Sequence, residues 1–277
     1  MALKTHFLIF CIIIQITNVV HCANNEDSND YITQIGIGNS ATFAPGNFKN
    51  NVISLVSDFV TVSSRGFLNT SSGEGSDRAY GWFLCRGDLS DDKCKDCLHK
   101  IRQYITDSKN IFFYPEAFVF NTQLKCVVHY SNSSKSFEYR ENTTFTGSGF
   151  GDDLDRHPRY NTTLFNSLQE LAREAGGSNG IKPNFATRVV DVAGTEEKIN
   201  ILVQCTPDIL AMNCTNCIRN LYSTFTPYRV GGDALGFNCL LKYDNEAFMG
   251  SGFGASFMPS YLHVVMVLLG TIYLTFM

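Results

Sequence analysis

The 277-residue sequence predicts an α+β protein of two tandem modules, each a small antiparallel sheet packed against two helices and stapled by disulfides. Three observations predict it. The stretch CRGDLSDDKCKDC at 85–97 recurs in spacing as CTPDILAMNCTNC at 205–217, both reading C-x8-C-x2-C, and one further cysteine follows each, Cys126 and Cys239. Upstream of the motif, Phe48, Val52, Leu55, Val56 and Phe59 have the same spacing as Leu164, Leu168, Leu171, Ala172 and Ala175, the one-faced stripe of an amphipathic helix. Around the motif the texture changes to β-rich runs: AYGWFLC and INILVQC lead into it, and EAFVFNTQLKCVVHY and GFNCLLKY follow it.

The chain opens with Lys4, an apolar run from Phe7 to Ile16 and small or moderately apolar residues around Val20 and Cys22. This is the layout of a secretory signal peptide, expected over residues 1–22 with cleavage after Cys22 or Ala23. Gln15, Thr17 and Asn18 interrupt the run, which leaves it short of the roughly twenty apolar residues of a spanning helix.

The first module is expected over 27–145. Its first helix carries the Phe48–Phe59 stripe, and Ser90 with Asp91 and Asp92 starts a second, whose buried face holds Leu98, Ile101 and Ile105 with the cysteines. A linker is expected over 146–158 and the second module over 159–254, where Ile218, Leu221 and Phe225 repeat the second helix. FTGSGFG at 145 and FMGSGFG at 248 read as the phrases that close the two copies.

Residues 255–277 form a C-terminal hydrophobic tail, with no Lys, Arg, Asp or Glu from Tyr261 to Met277. Small residues at Gly250, Ser251 and Gly252 before it fit a signal exchanged for a glycolipid (GPI) anchor, with Ser251 as the attachment residue. A short transmembrane segment and a fully secreted form are the alternatives. The partner expected through the tail is therefore the outer leaflet of the plasma membrane.

A formal charge of −4 without a basic run argues against nucleic-acid binding. Asn-x-Ser/Thr sequons at Asn69, Asn132, Asn142, Asn161 and Asn213 fit an extracellular chain. Of ten cysteines, Cys11 and Cys22 leave with the signal peptide, so eight remain, four per copy. An even count in a secreted chain points to disulfides over an all-thiolate zinc site or a thioredoxin-like CxxC. Four cysteines permit three pairings, and the spacing does not choose among them.

No catalytic constellation has a specific signature, and neither a metal nor a cofactor is expected. His99, His129 and His157 are scattered; His99 corresponds to Arg219 and His129 to Lys242 in the other copy. Carboxylates such as Glu116 and Glu138 are not paired by any motif, and neither GxSxG nor a zinc-protease motif occurs. Trp82 in YGWFLC reads as core rather than as a platform for a sugar ring.

YGWFLCRGDLSDDKCKDC, the duplicated C-x8-C-x2-C spacing, the signal peptide and the downstream CVVHYSN resemble the plant cysteine-rich repeat secretory proteins. Their module is the ginkbilobin-homologous, salt-stress-response/antifungal domain, shared with cysteine-rich receptor-like kinases and plasmodesmata-located proteins. The resemblance implies the pairing Cys85–Cys94, Cys97–Cys126, Cys205–Cys214 and Cys217–Cys239. On that pairing the RGD at 86–88 sits inside a closed loop, is unmatched by TPD in the second copy, and reads as an incidental tripeptide.

A third disulfide usual in the family has no partners here, since TDSKN at 106–110 and STFTPY at 223–228 lack its cysteines. The expectation is four bridges and no free thiol. The resemblance implies the mannose site of the ginkbilobin-type module: a polar set near its start, an Arg six residues before its last cysteine and a Glu five residues after it. The last two positions are Phe120 and Ser131 in the first copy, Asp233 and Asp244 in the second, so Asp244 alone keeps the acidic character. The resemblance thus implies a non-enzymatic binding protein of the plant apoplast, acting in defence, stress or cell-to-cell communication through a cell-surface protein or a cell-wall glycan as partner, with a mannose-type antifungal lectin as the alternative.

Overall fold

The structure, a computed structural model, describes residues 31–37, 46–107, 114–140, 144–153, 158–177, 184–224 and 229–248. The predicted signal peptide, the tail with Ser251, and Asn142, His157 and Phe225 lie outside the described residues.

The first repeat runs β1 (Ile32–Gly36), α1 (Gly46–Thr61), β2 (Phe67–Ser72), β3 (Ala79–Cys85), α2 (Asp91–Thr106), β4 (Glu116–Asn121) and β5 (Cys126–Ser131). The second repeats the order as β6 (Thr144–Asp153), α3 (Pro158–Gly176), β7 (Phe185–Asp191), β8 (Lys198–Cys205), α4 (Ala211–Thr224), β9 (Arg229–Gly236) and β10 (Cys239–Asp244). Each sheet has five antiparallel strands, ordered β1-β4-β5-β3-β2 and β6-β9-β10-β8-β7. The topology is the same in both, as the duplicated cysteine spacing requires.

Strict alternation along the strands gives each sheet two apolar faces. In β3, Ala79, Phe83 and Cys85 face the helices while Trp82 and Leu84 face the other way; in β5, Val128 and Tyr130 oppose Val127. The helix-facing side meets Phe48, Val52, Leu55, Val56 and Phe59 of α1 and Leu98, Ile101 and Ile105 of α2, all buried. The second repeat builds the equivalent core from Leu164, Leu168, Leu171, Ala172 and Ala175 of α3 with Ile201, Val203 and Leu241.

The outward faces meet each other. Trp82, Leu84, Phe118, Phe120 and Val127 of the first sheet pack against Phe185, Leu202, Leu235 and Leu240 of the second sheet and Phe237 of its β9–β10 turn, and every one of them is buried. The molecule is therefore four layers, helices, sheet, sheet, helices, with three cores. Burying each large apolar side chain of the central layer contributes roughly 1.5–3 kcal/mol, so the two repeats have a strong reason to dock as one body.

Disulfides tie the cores shut. Cys85–Cys94 staples the end of β3 to α2, and Cys97–Cys126 ties α2 to β5; Cys205–Cys214 and Cys217–Cys239 do the same in the second repeat. Ser90 caps α2, its hydroxyl accepting from the Lys93 N–H at 3.4 Å.

One expectation is corrected. Residues 146–158, read as a linker, contain most of β6, the edge strand that opens the second sheet, and FTGSGFG therefore begins the second repeat instead of closing the first. Its register sets Gly147 opposite Ala234 and Gly149 opposite Gly232, with shifts at both ends. The glycine run reads as a linker because it lacks the alternating apolar pattern of a strand. An edge strand needs only one neighbour, and β9 supplies the hydrogen bonds that local sequence preference does not.

Candidate functional site

The seam between the repeats is built around the RGD loop. Arg86 and Asp88 are each 3% exposed, and the guanidinium meets the carboxylate twice, Nε to Oδ1 at 2.7 Å and Nη2 to Oδ2 at 3.0 Å. Arg86 also donates to the carbonyls of Gln123 and, across the seam, Phe248, whose ring lies beneath it at 5.5 Å. A β-carbon on Gly87 would stand 2.6 Å from the Phe185 ring, so only glycine fits between the repeats. From the second repeat, the Gln204 amide donates to the Cys85 carbonyl at 3.0 Å and accepts from the Gly87 N–H at 2.9 Å. The tripeptide expected to be incidental is a buried inter-repeat joint, turned inward and closed to an adhesion receptor.

Beside this joint opens a cleft of about 400 Å³, within the range of small-ligand sites. Both repeats line it: Ser63, Arg65 and Phe67 from the turn before β2, Leu89 after the RGD, and Phe185 and Pro207 from the second repeat. Arg65 is exposed at its wall, and Gly66 takes a left-handed conformation (φ 71°) that turns the chain there. Leu84 and the Cys85–Cys94 disulfide also line the cleft, as do the polar groups of Arg86, Asp91 and Gln204.

A second polar contact holds the far side of the seam. His129 is fully buried, with its ring 5.5 Å from Trp82, 4.6 Å from Phe118 and 4.9 Å from Phe237 of the second repeat. Its Nε2 lies 2.9 Å from Glu116 Oε1, and the same oxygen accepts from Arg140 Nη2 at 2.8 Å. The Arg140 guanidinium lies over the Phe237 ring at 4.2 Å, and the Arg140 backbone N–H donates to Asn238 Oδ1 at 3.3 Å. Burial alone would raise the Glu116 carboxyl; the hydrogen bonds from His129 and Arg140 more than offset it and leave it below its ordinary value. Burial pushes the His129 imidazole below its ordinary value, with the Glu116 hydrogen bond opposing.

The other predicted residues are scattered. Phe120 and Ser131 are buried, Phe120 in the central core. Asp233 faces Lys242 at 3.8 Å, and Asp244 Oδ1 accepts from the Glu246 N–H, capping its own turn. Trp82 is core, 2% exposed. Asn69 sits half-buried on β2 with Nδ2 donating to Asp208 Oδ2 across the seam at 3.2 Å; Asn132 is exposed after β5; Asn161 and Asn213 lie half-buried on α3 and α4. Sequence reasoning missed Arg65, Phe185, Gln204 and Arg140, whose proximity depends on the docking of the repeats. Among the described residues, no group of three or more His, Cys, Asp or Glu could hold a metal ion, and no helix is long and apolar enough to cross a membrane.

The salt stress response/antifungal family model matches twice, over 37–133 and 149–246. It describes no enzyme. "Putative cysteine-rich repeat secretory protein 7" of Arabidopsis thaliana is 32% identical over 204 residues, covering 70% of this chain and 68% of that protein. "Cysteine-rich receptor-like protein kinase 4" of the same plant is 26% identical over 67% of this chain, which spans only 26% of that kinase. Among solved structures, the tandem DUF26 ectodomain of the Arabidopsis thaliana cysteine-rich receptor-like protein PDLP8 has the same fold, with a TM-score of 0.64 at 16% identity, over 79% of this chain and 100% of that one. With two family modules, eight paired cysteines and two like sheets back to back, the chain belongs to the plant cysteine-rich repeat secretory family.

Proposed function

We propose that this protein is a non-catalytic recognition protein of the plant cell exterior that takes its ligand in the cleft between its two repeats. The observation that carries the reading is the composition of that cleft. Its walls come from both repeats and are held in register by Gln204 on Gly87, so it exists only in the docked tandem. Apolar side chains with an exposed cation, Arg65, and an exposed carboxylate, Asp91, along one cleft suit a cell-wall glycan or a short partner segment. Action in defence, stress or cell-to-cell communication belongs to the same reading, with the ligand-bound ectodomain presented to a partner at the cell surface. Membrane attachment through a lipid on Ser251 belongs to the same reading; phosphatidylinositol-specific phospholipase should release the protein from intact plant cells.

The test is binding of the soluble ectodomain, residues 24–250, to a panel of neutral and acidic cell-wall and fungal glycans, with proximity labelling of surface partners alongside. Arg65→Glu should abolish binding while Asp244→Ala leaves it intact. Loss in Asp244→Ala with Arg65→Glu unchanged would instead favour a mannose-type lectin site in the second repeat.

A further inference from the structure

The seam contains an ionisable ring in a place where ionisation is not accommodated. Glu116 is an acceptor, so the neutral His129 ring carries its proton on Nε2 and leaves Nδ1 as a bare lone pair. That Nδ1 is buried and, among the described residues, has no hydrogen-bond partner. A second proton would add there an N–H donor with no acceptor, and a charge in a layer walled by Trp82, Phe118 and Phe237.

Charge counting gives the same answer. Glu116 on β4 and Arg140, on the segment that leads into β6, are the charged groups that act on the ring, and they already neutralise each other at 2.8 Å. The second repeat presents Phe237, from the turn between β9 and β10, to it, while Lys242 and Asp233 on the facing sheet pair with each other at 3.8 Å. Protonating His129 therefore leaves the contact with a net positive charge, in the layer that the second repeat must cover.

We propose that the contact of His129, Glu116 and Arg140 with Phe237 is an acid-sensitive clasp, which holds the two repeats together while His129 is neutral and loosens when that ring gains a proton. When the repeats separate, the ring becomes hydrated and returns toward the ordinary histidine value of 6.5. Docked, it stays neutral to lower pH. The undocked state thus binds more protons below pH 6.5, and the docked state loses its advantage as the pH falls from there to the docked value. One proton makes the docking equilibrium fall by up to ~tenfold per pH unit in that window.

The chain's single tryptophan reports on the event, because Trp82 lies in the same layer against His129. In the intact mature protein, Trp82 emission should shift to the red as the pH falls from 7.5 to 4.5, with a midpoint below 6.5 and with helical circular dichroism unchanged. His129→Gln, which keeps a neutral donor toward Glu116, should abolish the shift. Emission that stays flat, an unchanged midpoint in His129→Gln, or helix loss in step with the emission would overturn the proposal. Should that variant fail to fold, hydrogen exchange at the His129 ring carbon in the wild-type protein decides: its midpoint must fall below 6.5 and coincide with that of Trp82. A midpoint at or above 6.5 would overturn the clasp.

Discussion

Gln204 holds Gly87 across the seam: one side-chain amide satisfies the Gly87 N–H at 2.9 Å and the Cys85 carbonyl at 3.0 Å, two backbone groups of the other repeat. Gln204→Leu keeps the bulk but removes both of these hydrogen bonds across the seam. It should destabilise the protein by about 2–4 kcal/mol in urea unfolding. A change within 0.5 kcal/mol would mean that water reaches the joint.

The RGD is predicted to act on stability and not on adhesion. Asp88→Ala leaves the Arg86 guanidinium buried without its carboxylate partner, and should cost about 3–5 kcal/mol. The folded wild-type protein should show no binding to RGD-dependent receptors in a solid-phase assay; binding there would require the loop to open, against the burial of both charged residues.

The two disulfides of the first repeat should differ in worth. Cys97–Cys126 closes a separation of 29 residues and Cys85–Cys94 one of 9. On loop-closure entropy alone, the serine double variant of the longer should lose about 1 kcal/mol more than that of the shorter. Thermal denaturation of the two variants compares them directly, and the reverse order would show that the short staple acts mainly on the native state. Thiol titration of the denatured wild-type protein should find no free thiol.

Sequon occupancy should follow the geometry. The Asn69 amide is engaged with Asp208, whereas Asn132 is exposed just beyond β5. Peptide mapping by mass spectrometry should find a glycan on Asn132 and a bare Asn69. A glycan on Asn69 with Asn132 empty would mean that modification precedes docking of the repeats.

Much of the architecture was legible in the chain. The helical stripes, the capping serine Ser90 and the strands flanking each C-x8-C-x2-C motif are local patterns, and local patterns are what periodicity reads. β1, β2, β7, β9 and β6 were not assigned. The last is glycine-rich, and all but β9 are edge strands that depend on a neighbour for their hydrogen bonds. The seam was less legible still. His129 and Lys242 stand at equivalent positions, yet a sequence does not tell that both lie on faces that meet. Trp82 reads as core from its apolar run; that this core joins two repeats is a fact of docking between residues more than a hundred positions apart.

The central claim is that the repeats form one body through the layer of Trp82, Phe118, Phe237 and their neighbours. Scanning calorimetry at pH 7.5 tests it most directly, with Phe237→Ala beside the wild type. The account predicts one cooperative transition for the wild type, and for Phe237→Ala a split or broadened pair of transitions at lower temperature. Two independent transitions in the wild type, unmoved by Phe237→Ala, would contradict it.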